Sequence, residues 1–188
     1  MSITDSAHNL NEEILAVFYI DPVITEIIRK GKPLTSSRSE DIYFKLTSAI
    51  VSQQLSTKAA ATIFGRFRAL YPDLYPHPHM VIETSDETLR GAGLSFQKIG
   101  YIRNVAAFAL TGNLEHSVID AMEDEALIQH LTQIKGVGRW TVEMLLMFAL
   151  ERPDVMPLDD LGIQNAMKRQ YSLEETGKAL RARMLEIA

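Results

Sequence analysis

Three observations predict an all-α fold. Apolar residues recur at helical spacing along nearly the whole chain. No segment sustains the period-2 alternation of a half-buried strand. Neither Asn-Gly nor Asp-Gly, the short hairpin turns, occurs anywhere. The elements follow in order. Leu10 to Tyr19 has the spacing of an amphipathic helix. Pro22 opens another that runs to Arg29, with Gly31 and Pro33 punctuating the join. A helix over about Glu40 to Val51 turns Tyr43, Phe44, Leu46 and Ile50 inward. Ser56 caps the next, which reaches Leu70 with Ala59, Ile63, Phe64 and Phe67 on its apolar face. Tyr71 to Met80 (YPDLYPHPHM) holds three prolines and reads as a rigid loop. Ser85 to Arg90 predicts a short helix ended by Gly91 and Gly93, and Ser95 to Leu110 a longer one ended by Gly112. Leu114 to Met122, Glu123 to Gln133, Arg139 to about Arg152, Asp160 to Gln170 and Leu173 to the end complete the run. There is no internal repeat and no low-complexity segment.

Composition bounds the function. At 188 residues, 46% apolar and 23% charged, the chain has the make-up of a soluble globular protein with one core or two lobes of one fold. It has no cysteine, which excludes disulfides, thiolate zinc sites and cysteine-ligated iron–sulfur clusters. MSITDSAHNLNEE shows neither a basic n-region nor an apolar h-region. The longest apolar run, Met144 to Leu150, is far below membrane-spanning length. A cytoplasmic protein with no membrane partner is the expectation. A net charge of −5 argues against holding a polyanion by bulk electrostatics but leaves room for a local grip through backbone amides and a few cations.

The stretch Leu131 to Ile163 carries the chemistry. LTQIKGVGRWT places a Gly136-Val137-Gly138 turn between two apolar helices. Glycines without a Cβ let backbone N–H groups approach an anion, and the helix starting near Arg139 aims its positive dipole end at the same place. Lys135 and Arg139 stand beside the turn to add charge. The plainer alternative is an interhelical turn whose glycines serve only as a C-cap. Further on, Pro157-Leu158-Asp159-Asp160 precedes LGIQNAM. Either aspartate suits a helix cap, and the other is then available as a carboxylate facing a sugar. In N-glycosidic cleavage C1′ gains positive charge as the base leaves, and a fixed carboxylate stabilises that state and orients the attacking water.

Together these segments resemble the helix-hairpin-helix DNA glycosylase superfamily, and within it the compact form of the 3-methyladenine DNA glycosylase II family. The resemblance rests on AIVSQQLSTKAA at 49–60, FQKIGYIRNVA at 96–106 and IKGVGRWTVEM through PLDDLGI at 134–163, and it spans most of the chain from Ile42 to Met167. It implies a single domain of two helical lobes with the active-site cleft between them. Lobe one would be about 36–134, lobe two about 1–35 plus 139–188, and the hairpin 131–142. It implies DNA-backbone binding by Lys135, Gly136, Val137, Gly138 and Arg139. The catalytic aspartate maps to Asp160, and Asp159 takes a capping or supporting role. Relatives that also cut the strand carry a lysine where this chain has Trp140, so the resemblance implies a monofunctional hydrolase whose nucleophile is water. Trp140 is either a core anchor of the hairpin or, with Met144, part of the base pocket, where an indole favours a cationic base.

SQQLS at 52–56 matches the loop that pushes a side chain into the duplex when a nucleotide flips. Gln54 and Leu55 are the candidate wedge and Gln53 is in support. An ordinary polar turn ending in the Ser56 cap is the alternative. Lys98 and Arg103 are weaker candidates for phosphate contact.

His77 and His79 lie in the proline-rich loop with no carboxylate cluster near them in sequence, so no side-chain metal site is expected and no cofactor is required. The family's hairpin can hold a monovalent cation through main-chain carbonyls, here Thr132, Ile134 and Val137. Family members continue past the MLEIA-like end with an aromatic-rich stretch and a final helix. A chain ending at Ala188 is expected to lack part of the lobe beside the pocket. Some relatives carry an aromatic where Met144 stands. The expected activity is excision of alkylated purines, 3-methyladenine and 7-methylguanine, from double-stranded DNA by a monomer. The alternative is a non-catalytic helix-hairpin-helix protein that senses distorted DNA.

Overall fold

Residues 20–31, 38, 39 and 41–188 are described by the computed structural model, and among them every regular element is helical. The α-helices are α1 (Pro22–Lys30), α2 (Ile42–Ser52), α3 (Thr57–Arg68), α4 (Pro78–Glu83), α5 (Asp86–Gly91), α6 (Phe96–Leu110), α7 (His116–Ile119), α8 (Asp124–Thr132), α9 (Arg139–Phe148), α10 (Leu161–Tyr171) and α11 (Gly177–Ile187). The predicted helix over Leu10 to Tyr19 lies outside the described residues.

Helix starts are set by side-chain caps that satisfy amides the helix itself leaves open. Asp21 accepts from Val23 N–H at 2.7 Å, Asp41 from Phe44 N–H at 2.8 Å, Ser85 from Thr88 N–H at 3.2 Å and Ser95 from Lys98 N–H at 3.2 Å.

Four stretches differ from the sequence expectation. The Tyr71 to Met80 loop is shorter, because Pro78 opens α4. Proline at a first helical position has its φ already set and lacks only an N–H that would have been unsatisfied. Leu114 to Met122 yields only the single turn α7. Helix α9 stops at Phe148 rather than near Arg152. Ala149 and Leu150 turn into the core, where Leu150 N–H meets the Leu145 carbonyl at 3.0 Å. Ser172 closes α10 in the left-handed conformation, and α11 starts only at Gly177.

The chain divides into two units. One is Ser37–Pro157, and the other is Met1–Ser36 with Leu158–Ala188. The boundary therefore falls after Pro157, and α9 belongs with the hairpin and α8, not with the second lobe as the sequence suggested. In the larger unit α6 is the axis. It packs on α2, α4 and α5, while α9 packs on α8 and α2. Leu46 and Ile50 of α2, Ile99, Ile102 and Val105 of α6, Leu131 of α8 and Leu146 of α9 are all buried. Each such side chain contributes about 1.5–3 kcal/mol when fully buried. In the smaller unit α10 packs on α11, Leu180 and Met184 are buried, and the Tyr171 hydroxyl donates to Asp21 Oδ2 at 2.7 Å.

Candidate active site and nucleic-acid interface

The hairpin is a tight turn held from outside. Val137 N–H donates to the Ile134 carbonyl at 2.9 Å, and Gly136 sits at the turn's third position with φ +106°. That backbone region favours glycine, and a β-carbon at 136 would also run into the Tyr101 ring of α6. Ile134 and Val137 bury their side chains. Asn104 Nδ2 donates to the Lys135 carbonyl at 3.1 Å, and Gln53 Nε2 donates to the Gly136 carbonyl at 3.1 Å. Gly138 differs from Gly136. Its φ of −95° is open to any residue, and a β-carbon there would meet nothing within 4 Å. One glycine serves the turn, and the other leaves bare backbone at the start of α9.

No side chain caps α9, whose N-terminus follows Gly138 directly. First-turn amides and the helix dipole make such an end a site for a phosphate or other anion. Of the two cations assigned to this place, Lys135 is exposed and remains available. Arg139 is not placed as expected. Its guanidinium donates to Glu125 at 3.0 and 2.7 Å and to Glu143 Oε1 at 3.0 Å. The Arg139 bond holds the Glu125 carboxyl below its ordinary value, and the same pairing raises the guanidinium. The Arg139 side chain is therefore a brace between α8 and α9. Lys98 and Arg103 are likewise engaged inside the protein. Lys98 Nζ donates to the carbonyls of Val51 and Gln53, and Arg103 binds the Thr84 carbonyl and Asp86.

The Ile134 carbonyl accepts the turn's own N–H. A carbonyl oxygen has a second lone pair, so this bond does not use up the acceptor capacity of Ile134.

The loop after α2 is a second tight turn. Leu55 N–H donates to the Ser52 carbonyl at 3.2 Å, and Gln54 takes φ +57° without being glycine. Gln54 and Leu55 are exposed at its tip, while Gln53 points back to the hairpin. On α9 Trp140 is 46% exposed, so it is not the buried core anchor that was one of its two readings. Met144, one turn on, is half-buried on the same helical face. His77 packs against Tyr75 with ring centroids 4.7 Å apart.

The aspartates lie in the smaller unit and have distinct partners. Asp160 caps α10, its Oδ1 accepting from Ile163 N–H at 2.8 Å, and it is half-buried. Asp159 is exposed and ion-paired with Arg181. Of the two roles open to Asp159, capping or supporting, the cap of α10 is made by Asp160, and Asp159 pairs with Arg181 of α11. Gly162 matters here as well, since a β-carbon on it would sit 3.0 Å from Asp160 Oδ1.

Residues 47–188 match the family model described as HhH-GPD superfamily base excision DNA repair protein. The chain belongs to the HhH-GPD superfamily. Among its relatives, DNA-3-methyladenine glycosylase 1 of Schizosaccharomyces pombe is 38% identical over 152 residues, which is 80% of this chain and 67% of that protein. The putative DNA-3-methyladenine glycosylase YfjP of Bacillus subtilis is 34% identical over 77% of this chain, and the chain spans 52% of its length. The solved structure of the S. pombe 3-methyladenine DNA glycosylase Mag1 in complex with abasic DNA superposes with a TM-score of 0.79 at 32% identity. The match covers 94% of this chain and 87% of that one.

Within this HhH-GPD protein, both loops and the aspartate pair were legible in the sequence, but not the groups that hold them. Tyr101 and Asn104 lay inside a recognised segment with no role assigned. Glu125, which pairs with Arg139 from α8, stands in no quoted motif, and Glu143, inside IKGVGRWTVEM, had no role assigned. Gly162 was legible only as part of the LDDLGI string.

Proposed function

We propose that this chain is a monofunctional DNA glycosylase that hydrolyses the N-glycosidic bond of alkylated purines in double-stranded DNA, with 3-methyladenine and 7-methylguanine as substrates. The observation that carries the reading is Asp160, a carboxylate held at a helix N-terminus by a hydrogen bond from Ile163 N–H rather than left to rotate. A group fixed before the reaction stabilises charge developing at C1′ without reorganising in the transition state. Asp160 balances the oxocarbenium-like sugar and positions the attacking water. The alkylated base leaves as a neutral molecule because it carries a positive charge beforehand, so no strong general acid is required. The backbone at Gly136–Gly138 with the start of α9 grips a phosphate, aided by Lys135. Trp140 and Met144 line the base pocket, where the exposed indole attracts a cationic ring. Gln54 or Leu55 fills the gap left in the duplex. A cation held by the hairpin carbonyls would add positive charge beside the phosphate. The protein works as a cytoplasmic monomer that binds DNA.

Trp140 supplies no amine at the position where a lysine would form a Schiff base, which supports simple hydrolysis over strand cleavage. Incubation with methylated DNA should release 3-methyladenine and 7-methylguanine, identified by mass, and leave intact abasic strands. Borohydride should trap no covalent adduct. An adduct, or the absence of any released base, would overturn the reading.

A further inference from the structure

We infer that Lys98 and Gln53 are positioning residues that lock the wedge loop to the phosphate-gripping hairpin, so that insertion into the duplex is registered against the held backbone. This rests on the function proposed above. Lys98 Nζ donates to the Val51 carbonyl at 2.6 Å and the Gln53 carbonyl at 2.8 Å, capping α2 from α6 across more than 40 residues of sequence. Gln53, whose carbonyl is held in this way, sends its side-chain amide to the Gly136 carbonyl at 3.1 Å. One residue is thus tied at its backbone to α6 and at its side chain to the hairpin turn. The next residue, Gln54, keeps a left-handed backbone at φ +57° that a non-glycine residue holds only when its surroundings over-determine it.

An ordinary helix end would need none of this. Glycine after the last turn satisfies the terminal carbonyls, and a half-buried ammonium is a costly substitute. Burial indeed holds the Lys98 ammonium below its ordinary value. No carboxylate pairs with it among the described residues. The arrangement fixes the direction of the loop tip relative to the hairpin, both within the larger unit. That relation is what a wedge needs if it is to enter the duplex at a set distance from a gripped phosphate.

The test uses Lys98→Met, Lys98→Arg and Gln53→Ala in the full chain. The probe is a duplex carrying a tetrahydrofuran abasic site beside 2-aminopurine, with single-turnover base release from methylated DNA measured in parallel. Lys98→Met and Gln53→Ala should lower the 2-aminopurine response and the excision rate about tenfold, the scale of one or two lost hydrogen bonds. Affinity for undamaged duplex should change less than about twofold, because the hairpin still grips phosphate. Lys98→Arg should restore most of the response. Gln53→Ala keeps the Lys98 cap and so reads the link even if Lys98→Met fails to fold. Unchanged fluorescence and excision in folded Gln53→Ala would overturn the inference. So would a loss that tracks affinity for undamaged DNA. Failure of the wild-type protein to release any base would instead count against the proposed function and leave the duplex-probe readout of the lock standing on its own.

Discussion

Gly162 and Asp160 show how closely a single atom bears on the proposed chemistry. Adding a β-carbon to Gly162 places it 3.0 Å from the carboxylate oxygen that accepts from Ile163, tighter than ordinary packing allows. Glycine in the first turn of a helix is otherwise a poor choice, and alanine there is worth up to about 1 kcal/mol in helix propensity. Gly162→Ala should therefore leave the melting temperature equal or higher while excision falls several-fold, measured by thermal denaturation and single-turnover release on the same preparation. A variant as active as wild type would show that the carboxylate need not sit where it does. The aspartate pair was legible in the sequence as one cap and one acid. That the residue mapped as the acid would itself be the cap was not. The Asp159–Arg181 pair joins residues 22 apart that no motif connects, and the cap proved to be the residue also proposed as the acid.

At the level of the element, the hairpin carries two glycines with separable roles. Gly136→Ala forces a side chain into a left-handed backbone and into the Tyr101 ring, and it should cost about 3 kcal/mol of stability. Gly138→Val meets open space and an ordinary φ, so it should cost the fold under about 1 kcal/mol. It should nonetheless weaken binding to every duplex, lesion or not, by covering the amides at the start of α9. Denaturant unfolding beside fluorescence-anisotropy titration separates the two. Unchanged DNA affinity in Gly138→Val would argue against a phosphate at this end. Helical periodicity and caps such as Ser56, Ser85 and Ser95 made nearly every element legible, because both signals are local. The bracing was not legible. Arg139 reads as a phosphate ligand beside a glycine turn until the packing of α8 on α9 brings Glu125 to it, where Glu143, one turn on in α9, also accepts from it. Lys98 reads the same way until α6 lies along α2.

Across the whole molecule, the two units differ in how they are held. The larger rests on a continuous apolar core, while in the smaller a polar link between Tyr171 and Asp21 ties α1 to α10. The Tyr171 bond, with the backbone bonds from Val23 and Ile24, holds the Asp21 carboxyl below its ordinary value of 3.8. Its stabilising contribution is present above that value and is lost as pH falls through the depressed one. Burial, then the same bond, pushes the Tyr171 phenol from 10.0 up to about 12, so its contribution is full below 10.0 and is lost as pH rises toward about 12. Tyr171→Phe should flatten both limbs of the melting temperature against pH, and a profile parallel to wild type would show that the link contributes nothing.

The family resemblance rested on three segments, and the last of them runs from the hairpin in the larger unit to the aspartate pair in the smaller. The central claim is that Asp160 performs the chemistry. The direct measurement compares wild type with Asp160→Asn, reading bases released from methylated DNA by mass and lesion-duplex affinity by anisotropy. Asparagine keeps an oxygen for the Ile163 N–H but removes the charge. Release should fall by about a thousandfold, the scale of one electrostatic stabiliser, with affinity nearly unchanged. Full base release by Asp160→Asn would contradict it.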